Sequence, residues 1–125
     1  MTVVYDAGAL IAAERDDRAF WADHRVRLEH GVIPIVPTPV VAQVSRSPRQ
    51  VQLRRLLRGC DVRPLDEADA HRVGLLLAAA GRGDVVDACV ATLAVDRTAA
   101  VVTSDPVDIR HLLDSAGRNL PIIEV

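Results

Sequence analysis

Residues 83–95, GDVVDACVATLAV, constrain this chain more than any other stretch. From Val85 to Val95 Asp87 is the only charge, and its neighbours are apolar on nearly every helical face. A helix of that kind belongs in a core. A carboxylate buried there without a partner is neutralised or costs several kcal/mol. A helix cap, an arginine, or a cation shared with other carboxylates would each compensate it. Where the other carboxylates lie decides among these.

The rest of the chain supplies a frame for that helix. Val3, Val4 and Tyr5 form an apolar run ending at Asp6, which reads as a buried strand, with a helix opening at Ala7 and continuing to Ala13. Asp16 or Asp17 can cap a second helix, closed by Gly31. Residues 32–36 read as a second strand. Thr38 caps a short helix with Pro39 at its first position, and Ser47 with Pro48 repeats that start signal for a helix ending at Gly59. Residues 60–64 read as a weak third strand. Asp66, with Asp69 three residues on, starts a helix to Ala80, and the Asp84 helix follows. Residues 99–103 form an apolar strand, Ser104-Asp105-Pro106 starts another helix, and residues 121–125 form a last strand. Alternating helices with uniformly apolar strands predict one domain over residues 1–125. Its expected fold is α/β, with a mostly parallel sheet covered on both faces.

Composition excludes several function classes. Tyr5, Phe20 and Trp21 are the only aromatic residues, which leaves an aliphatic core and no stacking platform for single-stranded bases. All 15 basic residues are Arg, and the formal net charge is -2. Nucleic-acid binding would therefore need a local basic patch. Cys60 and Cys89 stand in apolar contexts without metal-type spacing, as expected of reduced core thiols in a cytoplasmic protein. The sequence shows no signal-peptide pattern, and no apolar run approaches the roughly 18 residues of a membrane span. No membrane partner is expected.

Asp6 and Asp105 each follow a strand directly. Ligands of open parallel sheets sit at the carboxyl ends of the strands, near the topological switch point. With the Asp84 helix opening on the same crevice, Asp6, Asp87 and Asp105 converge, with Asp84 and Asp108 as further members. Crowded carboxylates repel unless protonated or bridged by cations. An oxygen-only donor set suits Mg²⁺ or Mn²⁺, and no His or Cys cluster suggests zinc. Each acid also has a structural alternative. Asp105 before Pro106, Asp84 with Asp87 three residues later, and Asp6 before Ala7 are all capping patterns. Asp87 fits that alternative least, because its neighbours are apolar.

Arg46, Arg49, Arg54, Arg55 and Arg58 occur with no acid among them. Val51, Leu53, Leu56 and Leu57 give this segment an apolar side, while Arg54 and Arg58 share an exposed face four residues apart. The run reads as a phosphate- or partner-contacting surface, or as an ordinary solvated helix face. His24, His30, His71 and His111 are scattered, with no Ser or Cys arranged beside them as a nucleophile pair. No glycine-rich phosphate loop is present.

Four segments in order, VVYDAGALIAAE, PTPVVAQV, DVVDACVATLA and VVTSDPVDIRHLL, together resemble the PIN-domain ribonucleases, and among them the toxin half of VapBC-type toxin–antitoxin pairs. Each segment is short, but their order and spacing span essentially the whole chain. The resemblance implies a three-layer α/β/α fold, Mg²⁺- or Mn²⁺-dependent cleavage of RNA, a homodimer, and inhibition by a small antitoxin whose C-terminal segment enters the active-site groove. It assigns Asp6, Asp87 and Asp105 as catalytic metal ligands, with Asp84 and Gln43 as further candidate ligands. Asp108 is an additional catalytic acid, and Thr103 and Ser104 support the loop that carries Asp105. Arg46, Arg49, Arg54 and Arg58 become the candidate RNA-binding residues. Gln43 departs from the family, which usually carries Glu there, so the site has one charge fewer. A degenerate PIN domain that binds RNA or a partner without cleaving is the alternative that Gln43 favours. A metal-dependent phosphatase is a third reading, although Ala7-Gly8 after Asp6 breaks the D-x-D pattern such enzymes usually show.

Overall fold

The computed structural model describes residues 1–125. Strand β1 (Val3–Tyr5) is wholly buried. Helix α1 (Ala7–Glu14) opens directly after it, and Asp6 caps it by accepting from Ala7 N. Helix α2 (Arg18–Glu29) is capped by Asp17, which accepts from Phe20 N. Strand β2 (Ile35–Pro37) leads through α3 (Thr38–Val44) and α4 (Val51–Arg58) to β3 (Asp61–Arg63). Helix α5 (Glu67–Ala80) begins with a reciprocal capping box between Asp66 and Asp69 and ends at Gly81, whose φ of 72° favours glycine. Helix α6 (Val85–Arg97), strand β4 (Ala100–Thr103), helix α7 (Pro106–Ser115) and strand β5 (Ile122–Glu124) complete the chain.

All five strands are parallel, in the order β3-β2-β1-β4-β5. Val4 stands opposite Ile35 on one side and Val101 on the other. From β1 the chain steps outward to β2 and β3, then crosses back to β4 and continues to β5. Right-handed crossovers place α1 to α4 on one face and α5 to α7 on the other, which makes the fold three layers. Helix α1 packs on β1 and β4, while α6 packs on β1, β2 and β4. Because both faces are covered, Val3, Val4, Val36, Val101 and Val102 are all buried. Each such side chain contributes about 1.5–3 kcal/mol. The sheet reverses its winding between β1 and β4, so the crevice of the fold opens at their carboxyl ends.

Three local expectations change. Strand β2 starts at Ile35 rather than Val32, because Pro34 has no N–H to give a ladder; its carbonyl accepts from Asp61 N instead. Thr38 lies inside α3 rather than at its cap, and no side chain caps that helix. Ser47 and Pro48 do not start α4. Gln50 Oε1 accepts from Arg46 N and Ser47 N, and Ser47 Oγ accepts from Arg49 N, which folds residues 46–50 into a turn. The N-terminal end of α4 is satisfied from another helix: Leu53 N donates to Glu14 Oε2 at 2.7 Å.

The few aromatic residues gather behind β1. Tyr5 meets Phe20 edge-on at 5.5 Å, and His24 stacks on Phe20 at 6.1 Å. Tyr5 OH and His24 Nδ1 share a hydrogen bond of 2.8 Å, and Arg27 Nη1 donates to the same phenol oxygen at 3.1 Å. Burial pushes Tyr5 up to about 12 and His24 below its ordinary value. Both groups therefore stay neutral at pH 7, and the cluster anchors the residue immediately before Asp6.

Candidate metal centre

Asp6 leaves the carboxyl end of β1 and Asp105 follows the carboxyl end of β4, so the switch point brings them together across 99 residues of sequence. Thr103 ties them. Its Oγ1 donates to Asp6 Oδ2 at 2.7 Å and accepts from Asp105 N at 2.9 Å. Thr103 is fully buried and Asp6 nearly so. Asp6 Oδ1 accepts from Ala7 N at 2.7 Å. Each Asp6 oxygen thus holds one hydrogen bond, and each keeps a further lone pair free for a ligand.

Helix α6 delivers Asp87 from the opposite face. Its N-terminus points into the crevice because a helix that leads into a parallel strand, as α6 leads into β4, starts at the carboxyl end of the sheet and runs back to the start of that strand. Asp84 is the N-cap: its Oδ1 accepts from Asp87 N at 2.8 Å. Asp87 sits in the first turn and is only 8% exposed. Burial is the main reason its carboxyl rises to about 8, with Asp6, Asp84 and Asp105 adding to the effect. Asp105 is half-buried and is also raised, again by desolvation first and by Asp108 second. It makes no side-chain cap to α7. Its carboxylate is therefore not held by the helix it precedes.

Carboxylate oxygens of Asp87, Asp105 and Asp108 all lie within 4.8 Å of one another. Octahedral ligands at about 2.1 Å from Mg²⁺ are separated by about 3.0 Å when adjacent and about 4.2 Å when opposite. From the 4.8 Å bound, the widest pair would close by about 0.6 Å to sit opposite on such an ion and by about 1.8 Å to sit adjacent. The donor set is oxygen alone, so the residues fit a hard divalent cation. Asp6 stands behind the trio, in electrostatic contact with Asp87. Asp84 has committed one oxygen to its cap. Gln43 lies exposed on α3 and makes no hydrogen bond to the acids. Ser104 is exposed between Thr103 and Asp105.

The arginine run divides. Arg54 and Arg58 are exposed on α4 with Leu57 between them. Arg54 also reaches the carbonyls of Ser47 and Pro48 at 3.3 Å. Arg46 and Arg49 precede the helix, and Arg46 Nη1 donates to Ala42 O and Ser45 O. Arg55, exposed like them, lays its guanidinium 4.5 Å over the Trp21 ring. Sequence patterning missed Glu14 as the group that satisfies α4, because that contact joins two helices 39 residues apart. Both cysteines are free thiols; Cys89 is buried and Cys60 half-buried. No helix is long and apolar enough to cross a membrane.

No protein-family model and no curated protein sequence matches the chain. Solved structures do match. VapBC2 from Rickettsia felis, solved bound to a DNA fragment from its promoter, superposes with a TM-score of 0.73 at 16% identity, covering 100% of this chain and 99% of that one. PAE2754 from Pyrobaculum aerophilum gives 0.66 at 19% identity, over 100% and 92% of the two chains. FitAB bound to the IR36 DNA fragment gives 0.65 at 14% identity, over 98% and 94%. At these identities the likeness is one of fold: the chain has the three-layer α/β/α architecture of these proteins over its whole length.

Proposed function

We propose that this protein is a divalent-metal-dependent endoribonuclease of PIN type, acting as the toxin of a type II toxin–antitoxin pair. One observation carries the catalytic reading: Asp87, Asp105 and Asp108 converge beside Asp6 at the switch point, with Asp87 buried and held unusually basic. That cost has no structural return in the cap of α6, which Asp84 already provides. The fold shared with VapBC2 and FitAB supports the toxin reading and a small antitoxin as partner. A homodimer and RNA as substrate complete the proposal.

Asp87 and Asp105 would hold Mg²⁺ or Mn²⁺ together with Asp6 behind them and Asp108 at the rim, and Asp84 and Gln43 are further candidate ligands. Bound there, the cation would supply a nucleophilic water and neutralise charge on the phosphodiester. The chain's own groups do the rest. Thr103 fixes Asp6 and the Asp105 backbone relative to each other. Asp108, exposed at the rim, orients the attacking water. Arg54 and Arg58, with Arg46 and Arg49 before them, would contact the RNA backbone, which positions the strand without reading its sequence.

The test is RNA cleavage in Mn²⁺ by wild type and by Asp6→Asn, Asp87→Asn and Asp105→Asn, each checked for folding. Loss of cleavage and of Mn²⁺ binding in all three is expected. Asn keeps the size of each side chain and, at Asp6, its capping ability, so variants that still cut would remove these acids from the reaction. Gln43, neutral and exposed, favours a second reading in which the domain binds RNA or a partner without cleaving. Wild type that binds RNA and Mn²⁺ but leaves the RNA intact would select it. Co-expression with the product of a short reading frame directly upstream tests the antitoxin: it should copurify and relieve growth arrest.

A further inference from the structure

Gly8 lies in the first turn of α1, two residues after Asp6. Its backbone does not require glycine, since its φ is not among the positive values of the chain. What it requires is space. A Cβ at this position would sit 2.8 Å from Ser104 N and 2.7 Å from Ser104 Cβ, and closer still to Ser104 Oγ. Rotating the serine could clear only the last of these. Gly74, in the middle of α5, has nothing within 4 Å of the equivalent point. Helix α1 and the segment after β4 therefore approach each other more closely than any side chain at position 8 would allow.

The residue that Gly8 touches stands between two members of the site. Thr103, just before Ser104, holds Asp6 Oδ2 and the Asp105 backbone through one hydroxyl. Asp105, just after it, is one of the three acids whose oxygens converge. Relieving a 2.7 Å contact means moving Ser104 by several tenths of an ångström or more. Metal–ligand distances tolerate about 0.2 Å, and hydrogen bonds weaken as their geometry opens. We propose that Gly8 is a positioning residue for the metal centre: its missing side chain lets α1 seat against Ser104, so that Asp6 and Asp105 reach one ion together. The inference rests on the metal-site reading above.

The test is Mn²⁺ affinity, read from the free-ion signal in electron paramagnetic resonance well below the melting temperature. A merely structural glycine would change the melting temperature in EDTA and leave the affinity of the folded protein alone. Gly8→Ala should bind Mn²⁺ at least tenfold more weakly than wild type, whereas Gly74→Ala should bind it equally well. Adding Ser104→Gly to Gly8→Ala removes two of the three crowding atoms and should recover part of the affinity. Unchanged affinity in Gly8→Ala, with wild type binding Mn²⁺, would overturn this inference and leave the metal site standing. Wild type that binds no Mn²⁺ would remove the metal site and this inference with it. Should Gly8→Ala not fold, the double variant decides. It must fold and bind with an affinity below that of wild type, and either wild-type affinity or failure to fold overturns the inference.

Discussion

Replacing Asp87 by Asn separates the cost of the acidic cluster from the rest of the fold. In the metal-free protein burial holds the Asp87 carboxyl at about 8, helped by Asp6, Asp84 and Asp105. In the unfolded chain the same group ionises near 4. Below about pH 4 it is protonated in both states and its contribution is constant. Between about pH 4 and pH 8 the unfolded chain releases the proton and the folded one keeps it. Stability therefore falls as pH rises, by about 1.4 kcal/mol per pH unit. Above pH 8 both states are ionised and the loss levels off. The whole span would be on the order of 5 kcal/mol, but Asp105, raised as well, shares the titration, so at least about 2 kcal/mol is expected from Asp87 alone. Asn removes the charge and keeps the shape, and the backbone N–H at position 87 can still donate to Asp84. The variant should match wild type at pH 4 and exceed it by about 2 kcal/mol or more at pH 8 in EDTA, roughly 8 °C in melting temperature. Mn²⁺ should reverse the order at pH 8, because a cation replaces the retained proton in wild type only. Urea titrations at pH 4, 6, 8 and 9, with EDTA or Mn²⁺, measure all of this. Parallel pH profiles for the two proteins in EDTA would refute the reasoning.

Three further outcomes are expected. Thr103→Val leaves Asp6 Oδ2 and the Asp105 N–H without their partner, so it should cost about 1–3 kcal/mol in a denaturant titration and weaken Mn²⁺ binding. Gln43→Glu should raise Mn²⁺ affinity by about 1–2 kcal/mol in calorimetric titration, at an effective dielectric of about 20, and lower the melting temperature in EDTA. No change in either would place position 43 outside the field of the cluster. Arg54→Gln together with Arg58→Gln should weaken RNA binding and reduce its salt slope by roughly one for each phosphate no longer neutralised, as fluorescence anisotropy at several salt concentrations would show. An unchanged slope would assign α4 to solvent or a protein partner.

The candidate site is legible wherever a local pattern carries it. Asp87 announces itself as the single charge in an apolar helix. The caps at Asp17, Asp66 and Asp84 follow from residue type and spacing. The start of α4 was misplaced for a reason of the same kind. Ser47-Pro48 is a sound local start signal, yet Gln50 folds those residues into a turn, and Glu14 supplies the helix end from α1. A local signal names a possibility, and a partner from a distant element decides whether it is used.

Length, apolar strands and α/β alternation by themselves determined the layered fold with a parallel sheet, because hydrophobic period and capping chemistry are properties of neighbouring residues. The order β3-β2-β1-β4-β5 and its single reversal were decided by tertiary structure, since strand neighbours depend on crossovers that no short window contains. The same holds for what the reversal creates. Thr103 reaches Asp6 across 97 residues, Asp87 arrives from the other face, and Gly8 admits Ser104 at a distance that no side chain would permit. Sequence can supply acids in number. Only packing two layers on one sheet brings their oxygens within a few ångströms, where desolvation and mutual repulsion make them capable of holding a cation.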